Sequence, residues 1–277
     1  MARVRDVTLR DGLQSLPVVV PTAAKVDVYR RLVAAGVEEA QVTSFVSPKL
    51  LPQMADAEGL WEALRPLPGI KGALIVNHKG YQRARTVGVD RLEMVLGLSP
   101  TYHQKNSGRS RDETWAEIKT MAAEARAEGV YLAVVLANTW HCHFEGETPV
   151  ETLLHWAEQI TALGVPELGL ADTTGAAHPE AIYRRIRAVR EAFPHFILRV
   201  HLHEGGVGLE NARAVQAAGA DAFDAALLGL GGSPFAGEVV GNLDLRELHE
   251  AGLIQLDFEA LIEAEDVLQQ HLKEAQT

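Results

Sequence analysis

The stretch SRDETWAEIKTMAAEARAEGVYLAVVL, residues 110–136, holds one complete structural sentence. Ser110 and Glu113 have the spacing of a capping box, in which each side chain satisfies a backbone N–H left open by the first helical turn. Residues 112–128 carry the helical pattern that follows. Gly129 then supplies a left-handed cap at no Cβ cost, and residues 130–136 form an apolar, strand-like run.

The same sentence recurs along the chain. Helix-like residues 22–35, 79–87, 149–163 and 210–218 end at Gly36, Gly88, Gly164 and Gly219, and strand-like residues 40–45, 91–96, 167–170 and 222–227 follow them. Thr148 and Glu151 have the spacing of a second capping box, with Pro149 at the first helical position. Residues 4–9, 72–76 and 196–202 bring the strand count to eight, alternating with helices and uninterrupted by any Ser/Pro-rich linker. Eight βα units in this length predict a TIM (β/α)8 barrel, a single catalytic domain over residues 1–277 with an extra amphipathic C-terminal helix at 257–273. The rival is an open doubly wound sheet. Its G-x-G-x-x-G fingerprint after the first strand is missing.

Composition sets the context. The chain of 277 residues is 47% hydrophobic, enough for a large core, and carries a net charge of −11, which argues against nucleic-acid and anionic-membrane partners. Cys142 stands alone, so no intrachain disulfide forms and a reducing compartment fits. With no apolar run of membrane-spanning length and no signal-peptide pattern, the cytoplasm is the expected location. Leu261, Ile262 and Leu268 on the C-terminal helix point to a homodimer or higher homo-oligomer.

Chemistry in a TIM barrel gathers at the C-terminal ends of the strands. His201-Leu202-His203 ends an apolar run there, and strand alternation turns both imidazoles the same way, as two ligands of one metal require. Asp11 after strand 1 and the amide oxygen of Asn242 after strand 8 complete a mixed O/N donor set suited to Mg²⁺, Mn²⁺ or Co²⁺. Asp172 in Ala171-Asp172-Thr173-Thr174-Gly175 has two readings, a group at the site or a cap for the helix starting near Pro179. Arg10 likewise is either catalytic or a partner for a carboxylate such as Asp172. His141-Cys142-His143 has too weak a spacing for a second metal site, and the Leu60, Trp61, Leu64 cluster reads as core packing.

Thr8-Leu9-Arg10-Asp11-Gly12-Leu13-Gln14, Thr43-Ser44-Phe45, Pro52-Gln53-Met54, Asp172-Thr173-Thr174-Gly175, His201-Leu202-His203 and the glycine-rich segment from Gly229 to Asn242 together resemble the 3-hydroxy-3-methylglutaryl-CoA lyase family, in order over nearly the whole chain. The resemblance implies retro-Claisen cleavage of a tertiary 3-hydroxyacyl-CoA to acetyl-CoA and a keto acid. Asp11, His201, His203 and Asn242 would bind the divalent cation, and Arg10 would stabilise the thioester enolate. Asp172 and His201 would serve in catalysis. The resemblance further implies that Gln14, Gln41, Ser44, Lys49, Lys105 and Asn106 contact the acyl-CoA, the last two from the loop after strand 4.

Three positions depart from the family pattern. Ser233 stands where the lyases carry a catalytic cysteine, and a serine hydroxyl is a far poorer proton donor than a thiol of pKa ~8.5. Gln41 replaces an acidic residue and Ala133 an arginine. These changes keep open a Claisen-condensing synthase, a CoA-independent hydroxy-keto-acid aldolase and a non-catalytic metabolite-binding barrel.

Overall fold

The chain alternates strand and helix, and its computed structural model describes residues 2–232 and 240–276. Ser233 therefore lies outside the described residues. The strands, in chain order, are β1 (Arg3–Asp6), β2 (Glu39–Ser44), β3 (Ile70–Ile75), β4 (Arg91–Gly97), β5 (Tyr131–Ala137), β6 (Glu167–Ala171), β7 (Ile197–His201) and β8 (Ala222–Ala225). These eight barrel strands are parallel, each pairs with its sequence neighbour, and β8 pairs with β1 to close the barrel, while His141–Cys142 and Gly146–Glu147 pair as a separate antiparallel ribbon. The outer helices are α1 (Thr22–Ala34), α2 (Ala57–Leu64), α3 (His78–Thr86), α4 (Pro100–Ser107), α5 (Arg111–Glu128), α6 (Val150–Thr161), α7 (Pro179–Ala192), α8 (Gly208–Ala218), α9 (Leu245–Glu250) and α10 (Phe258–Glu274).

The capping box at Ser110 and Glu113 forms as expected, and Gly129 and Gly219 close α5 and α8 at φ 68° and 84°. The second expected box does not form. The Thr148 hydroxyl donates instead to the Asn138 carbonyl at 2.6 Å, and α6 starts from Pro149 with no side-chain cap. Strand β1 is shorter than its pattern suggests. Asp6 accepts from the Thr8 amide at 3.1 Å and from the Thr8 hydroxyl at 2.5 Å, a local turn that competes with strand pairing. The chain then winds into a helical turn, Thr8–Gly12, with Asp11 and Gly12 both donating to the Val7 carbonyl.

Helix α10 packs on α1, where the Asp257 amide donates to the Ala35 carbonyl at 2.9 Å. Leu261 and Leu268 are fully buried and Ile262 is half-buried, so they belong to this packing and are not the exposed surface that suggested association. Leu60 and Leu64 are buried core, as expected. Among the described residues no helix is long and apolar enough to cross a membrane.

The lower barrel is filled by ion pairs, a feature absent from the apolar pattern of the strands. Arg5 donates to both Asp224 oxygens at 2.8 Å and to Glu93 at 2.6 Å, and Arg199 donates to Glu167 at 2.6 Å and to Glu39 at 2.9 Å. Arg91 lies 3.2 Å from both Glu39 and Glu167. Because β7 and β2 are not neighbours, the Arg199–Glu39 pair spans the barrel interior, as does Arg5–Glu93. Charges buried this way need every partner in place, and they fix one register of opposing strands.

Candidate metal centre and active site

The Thr8–Gly12 turn lies at the C-terminal mouth of the barrel and presents Arg10 and Asp11 to the end of β7. Donor atoms of Asp11, His201 and His203 all lie within 4.8 Å of one another. The backbone selects which atom each histidine offers. His203 Nδ1 is 2.8 Å from the Asp172 carbonyl oxygen, and His201 Nδ1 is 3.0 Å from Asp224 Oδ2. Each ring thus has Nδ1 committed, which leaves Nε2 as the nitrogen available to a ligand, the arrangement that fixes tautomer and aim in metal-binding histidines.

Asn242 donates its amide to Asp11 Oδ2 at 2.9 Å and to the Leu230 carbonyl at 2.7 Å. That leaves Asn242 Oδ1 buried without a hydrogen-bond partner, as is Asp172 Oδ1. A buried acceptor with no donor carries a desolvation cost, which a cation would remove. Gly231 makes this approach possible: a Cβ there would lie 2.0 Å from Asn242 Nδ2 and 2.6 Å from Asp11 Oδ2. Asp11, His201, His203 and Asn242 therefore fit a hard or borderline divalent cation. His141, Cys142 and His143 do not form such a cluster among the described residues.

Electrostatics favour the ligand forms of Asp11 and His203. Burial opposes ionisation of Asp11, but Arg10, His201 and His203 outweigh it and hold the carboxyl well below the usual range. Burial, with His201 nearby, pushes His203 down to about 4, so its ring is neutral at pH 7. At His201 burial is outweighed by the Asp224 hydrogen bond and the Asp11 charge, and the pKa rises.

Arg10 does not pair with Asp172. Its guanidinium bonds Asp11 and the Gln41 side-chain oxygen. Asp172 caps no helix at Pro179 either; Oδ2 accepts from the Ala177 amide at 3.1 Å, and His178 is the N-cap of α7. Gln41, Ser44 and Gln14 stand near the same mouth, each with a buried polar atom unpartnered: Nε2, Oγ and Oε1. Lys105 and Asn106 are not in a loop but on α4, a helix capped by the Ser99 hydroxyl, and both are exposed. Lys105 lies 5.2 Å above the Phe144 ring. Lys49 is exposed in the loop after β2. Nearby, Arg109 donates to both oxygens of Glu117 and Arg111 donates to the Leu98 carbonyl. Ala133 lies in register between Glu93 and Glu167.

Sequence reasoning missed Asp224 and Asn138. Asp224 is the buried carboxylate behind His201. Asn138 follows β5 at φ 59° with its amide held by Thr173 Oγ1 at 2.9 Å and both side-chain amide atoms unpartnered. A charged residue in an otherwise apolar strand was the signal available for Asp224.

Residues 2–268 match the HMGL-like family. The chain belongs to that family. Among curated relatives it is 34% identical to (R)-citramalyl-CoA lyase of Chloroflexus aurantiacus, over 95% of this chain and 88% of the relative. It is 31% identical to the mitochondrial hydroxymethylglutaryl-CoA lyase of Bos taurus, over 89% and 76%. A solved HMG-CoA lyase from Acinetobacter baumannii, in complex with coenzyme A and 3-methylmalate, superposes with TM-score 0.91 at 33% identity, covering 99% of this chain and 92% of that one. The HMGL-like chain is accordingly an enzyme, a carbon–carbon lyase on a TIM barrel.

Proposed function

We propose that this HMGL-like enzyme cleaves a tertiary 3-hydroxyacyl-CoA, of the hydroxymethylglutaryl or citramalyl kind, to acetyl-CoA and a keto acid in a divalent-metal-dependent retro-Claisen reaction. The observation that carries the reading is the convergence of donor atoms of Asp11, His201 and His203 within 4.8 Å of one another, beside Arg10 and with Asn242 bonded to Asp11. These residues would hold Mg²⁺, Mn²⁺ or Co²⁺, which when bound would acidify and orient the substrate hydroxyl.

The protein's own groups supply the rest. Asp172 Oδ1 is unpartnered, and burial raises its pKa, so it is suited to take the hydroxyl proton as the C2–C3 bond breaks. Arg10, steered by Gln41 and Asp11, spreads positive charge where the thioester oxygen becomes an enolate. Gln14 and Ser44 offer free polar atoms for the acyl group, and Lys105 with Asn106 and Lys49 offers exposed polar groups for the CoA nucleotide. The final proton goes to the enolate carbon, with Ser233 at the family's acid position.

The test couples turnover to metal binding. Acetyl-CoA release from hydroxymethylglutaryl-CoA and citramalyl-CoA is expected to vanish with chelator and return with Mn²⁺, and His203→Ala is expected to weaken Mn²⁺ binding at least ~10-fold. Unchanged Mn²⁺ affinity in both Asp11→Asn and His203→Ala refutes the ligand assignment. Failure to cleave either ester with metal bound refutes the substrate class.

A further inference from the structure

The mouth of the barrel has two unlike halves. Arg199 on β7 reaches across to Glu39 on β2, so its side chain points into the barrel. Its register partner on β6 is Gly169, Gly169 pairs with Val135 on β5, and Val135 pairs with Val95 on β4. These residues therefore face inward too. A Cβ on Gly169 would lie 2.5 Å from Val135 Cγ2, which shows how closely the two abut. One layer higher, level with His201, come Ala171, Ala137 and Gly97. Thus the wall from β4 to β6 is Val95, Gly97, Val135, Ala137, Gly169 and Ala171, with no side-chain polar atom.

This wall is not simply more core. Val95 and Ala137 form a small apolar cluster with Tyr102 and Cys142, separate from the main core, and Val95 remains partly exposed although it faces the barrel interior. Most polar groups of the mouth, Arg10, Gln41, Asn242 and the histidines, come from β2, β7 and the segments after β1, β7 and β8, whereas Asp172 and Asn138 follow the ends of β6 and β5 at the rim of this wall. Beneath both halves lie four acids, Glu39, Glu93, Glu167 and Asp224, against three arginines, Arg5, Arg91 and Arg199. With the acids outnumbering the arginines, the floor disfavours a further carboxylate.

We propose that the substituent of the carbinol carbon that enters the barrel is an uncharged short alkyl group seated on Val95, Val135 and Ala137, and that any substrate carboxylate stays on the side of Arg10 and the metal ligands. The inference rests on the acyl-CoA lyase reading and narrows it to branched 3-hydroxyacyl-CoAs whose inward branch is hydrocarbon. Hydrophobic contact with this wall contributes about four-fold in affinity per buried carbon, whereas a carboxylate placed there loses its hydration without a partner.

The experiment uses the Mn²⁺-loaded protein and calorimetric binding of 2-oxo acids that present hydrogen, methyl, ethyl or carboxymethyl at the same position: glyoxylate, pyruvate, 2-oxobutanoate and oxaloacetate. Affinity is expected to rise from glyoxylate to pyruvate by ~4-fold and to favour 2-oxobutanoate over oxaloacetate by ~10-fold or more. Ala137→Leu is expected to lower 2-oxobutanoate affinity at least ~10-fold while glyoxylate still binds, which also reports that the variant is folded. Equal binding of glyoxylate and pyruvate, oxaloacetate as tight as 2-oxobutanoate, or binding of none of the four overturns the proposal. Turnover of acyl-CoAs is measured in parallel. A flat oxo-acid series with active cleavage removes the alkyl assignment alone, and an ordered series without cleavage supports it while removing the lyase reading.

Discussion

His201 Nδ1 lies 3.0 Å from Asp224 Oδ2, and both oxygens of that carboxylate are held by the Arg5 guanidinium. The imidazole is therefore oriented from behind by a chain running Glu93, Arg5, Asp224, His201 across the barrel. Asp224→Asn keeps the shape but removes the charge and permits the opposite tautomer. It is expected to lower Mn²⁺ affinity by ~10- to 100-fold, the usual cost of losing such a partner. Nitrogen-15 spectra of the metal-free protein give an independent readout, because wild type should show His201 protonated at Nδ1. An unaltered tautomer together with unaltered affinity in the variant would reduce Asp224 to a partner of Arg5 alone.

Arg10 is fixed at two points, Gln41 and Asp11, which leaves its planar fork in one orientation. Lysine keeps the charge but cannot bond both partners from a fixed plane. Arg10→Lys is expected to lower turnover by ~10²-fold or more with little change in the concentration of acyl-CoA needed for half saturation. Equal loss in Gln41→Ala would show that orientation of the guanidinium, and not its charge, is what the reaction requires. Full activity in the lysine variant contradicts an enolate-binding role.

The pattern of helix, glycine and strand was legible because it is local: each Gly cap and each apolar run is visible within a short window. Asp11, His201 and His203 were legible for a related reason, since strand ends in a barrel share one face. The supports behind them were not. Asp224 meets Arg5 over a separation of 219 residues, and Gln41 meets Arg10 over 31, so no window contains either pair. The β1 boundary was missed because two hydrogen bonds from Thr8 to Asp6 outcompete a strand pattern that runs on to Leu9. The exposed face read into α10 failed because helical periodicity identifies an apolar stripe without naming what covers it, here α1.

Asp6 gives a pH-dependent signature remote from the metal ligands. Burial raises its carboxyl to about 7 against the opposing effect of the Thr8 hydrogen bonds, so the folded protein holds a proton that the unfolded chain releases near 3.8. Between those values the folded state binds more protons, and stability from this group is complete below the lower value and lost as pH rises through about 7. Asp6→Asn, which can still accept from Thr8, is expected to remove this slope. Urea unfolding at pH 5 and pH 8 should show wild type losing more stability than the variant over that interval, and parallel losses would contradict the raised pKa.

Ser233 occupies the place where the resembled lyases carry a cysteine, and the consequence concerns the last proton of the reaction. Once the carbon–carbon bond breaks, the acetyl-CoA enolate must be protonated at carbon. A thiol delivers that proton readily near neutral pH, whereas a serine hydroxyl needs a neighbouring acid to do so. Hydroxymethylglutaryl-CoA cleavage by the wild-type chain is therefore expected to be slow, and Ser233→Cys is expected to raise it by ~10-fold or more, the low end of what a positioned acid contributes. The gain should appear in turnover and not in Mn²⁺ affinity, because the proposed metal ligands Asp11, His201 and His203 are untouched. A fast wild type that gains nothing from the thiol would move the acid role to another residue. Two inactive proteins that both bind Mn²⁺ would direct the next reversions to Gln41 and Ala133.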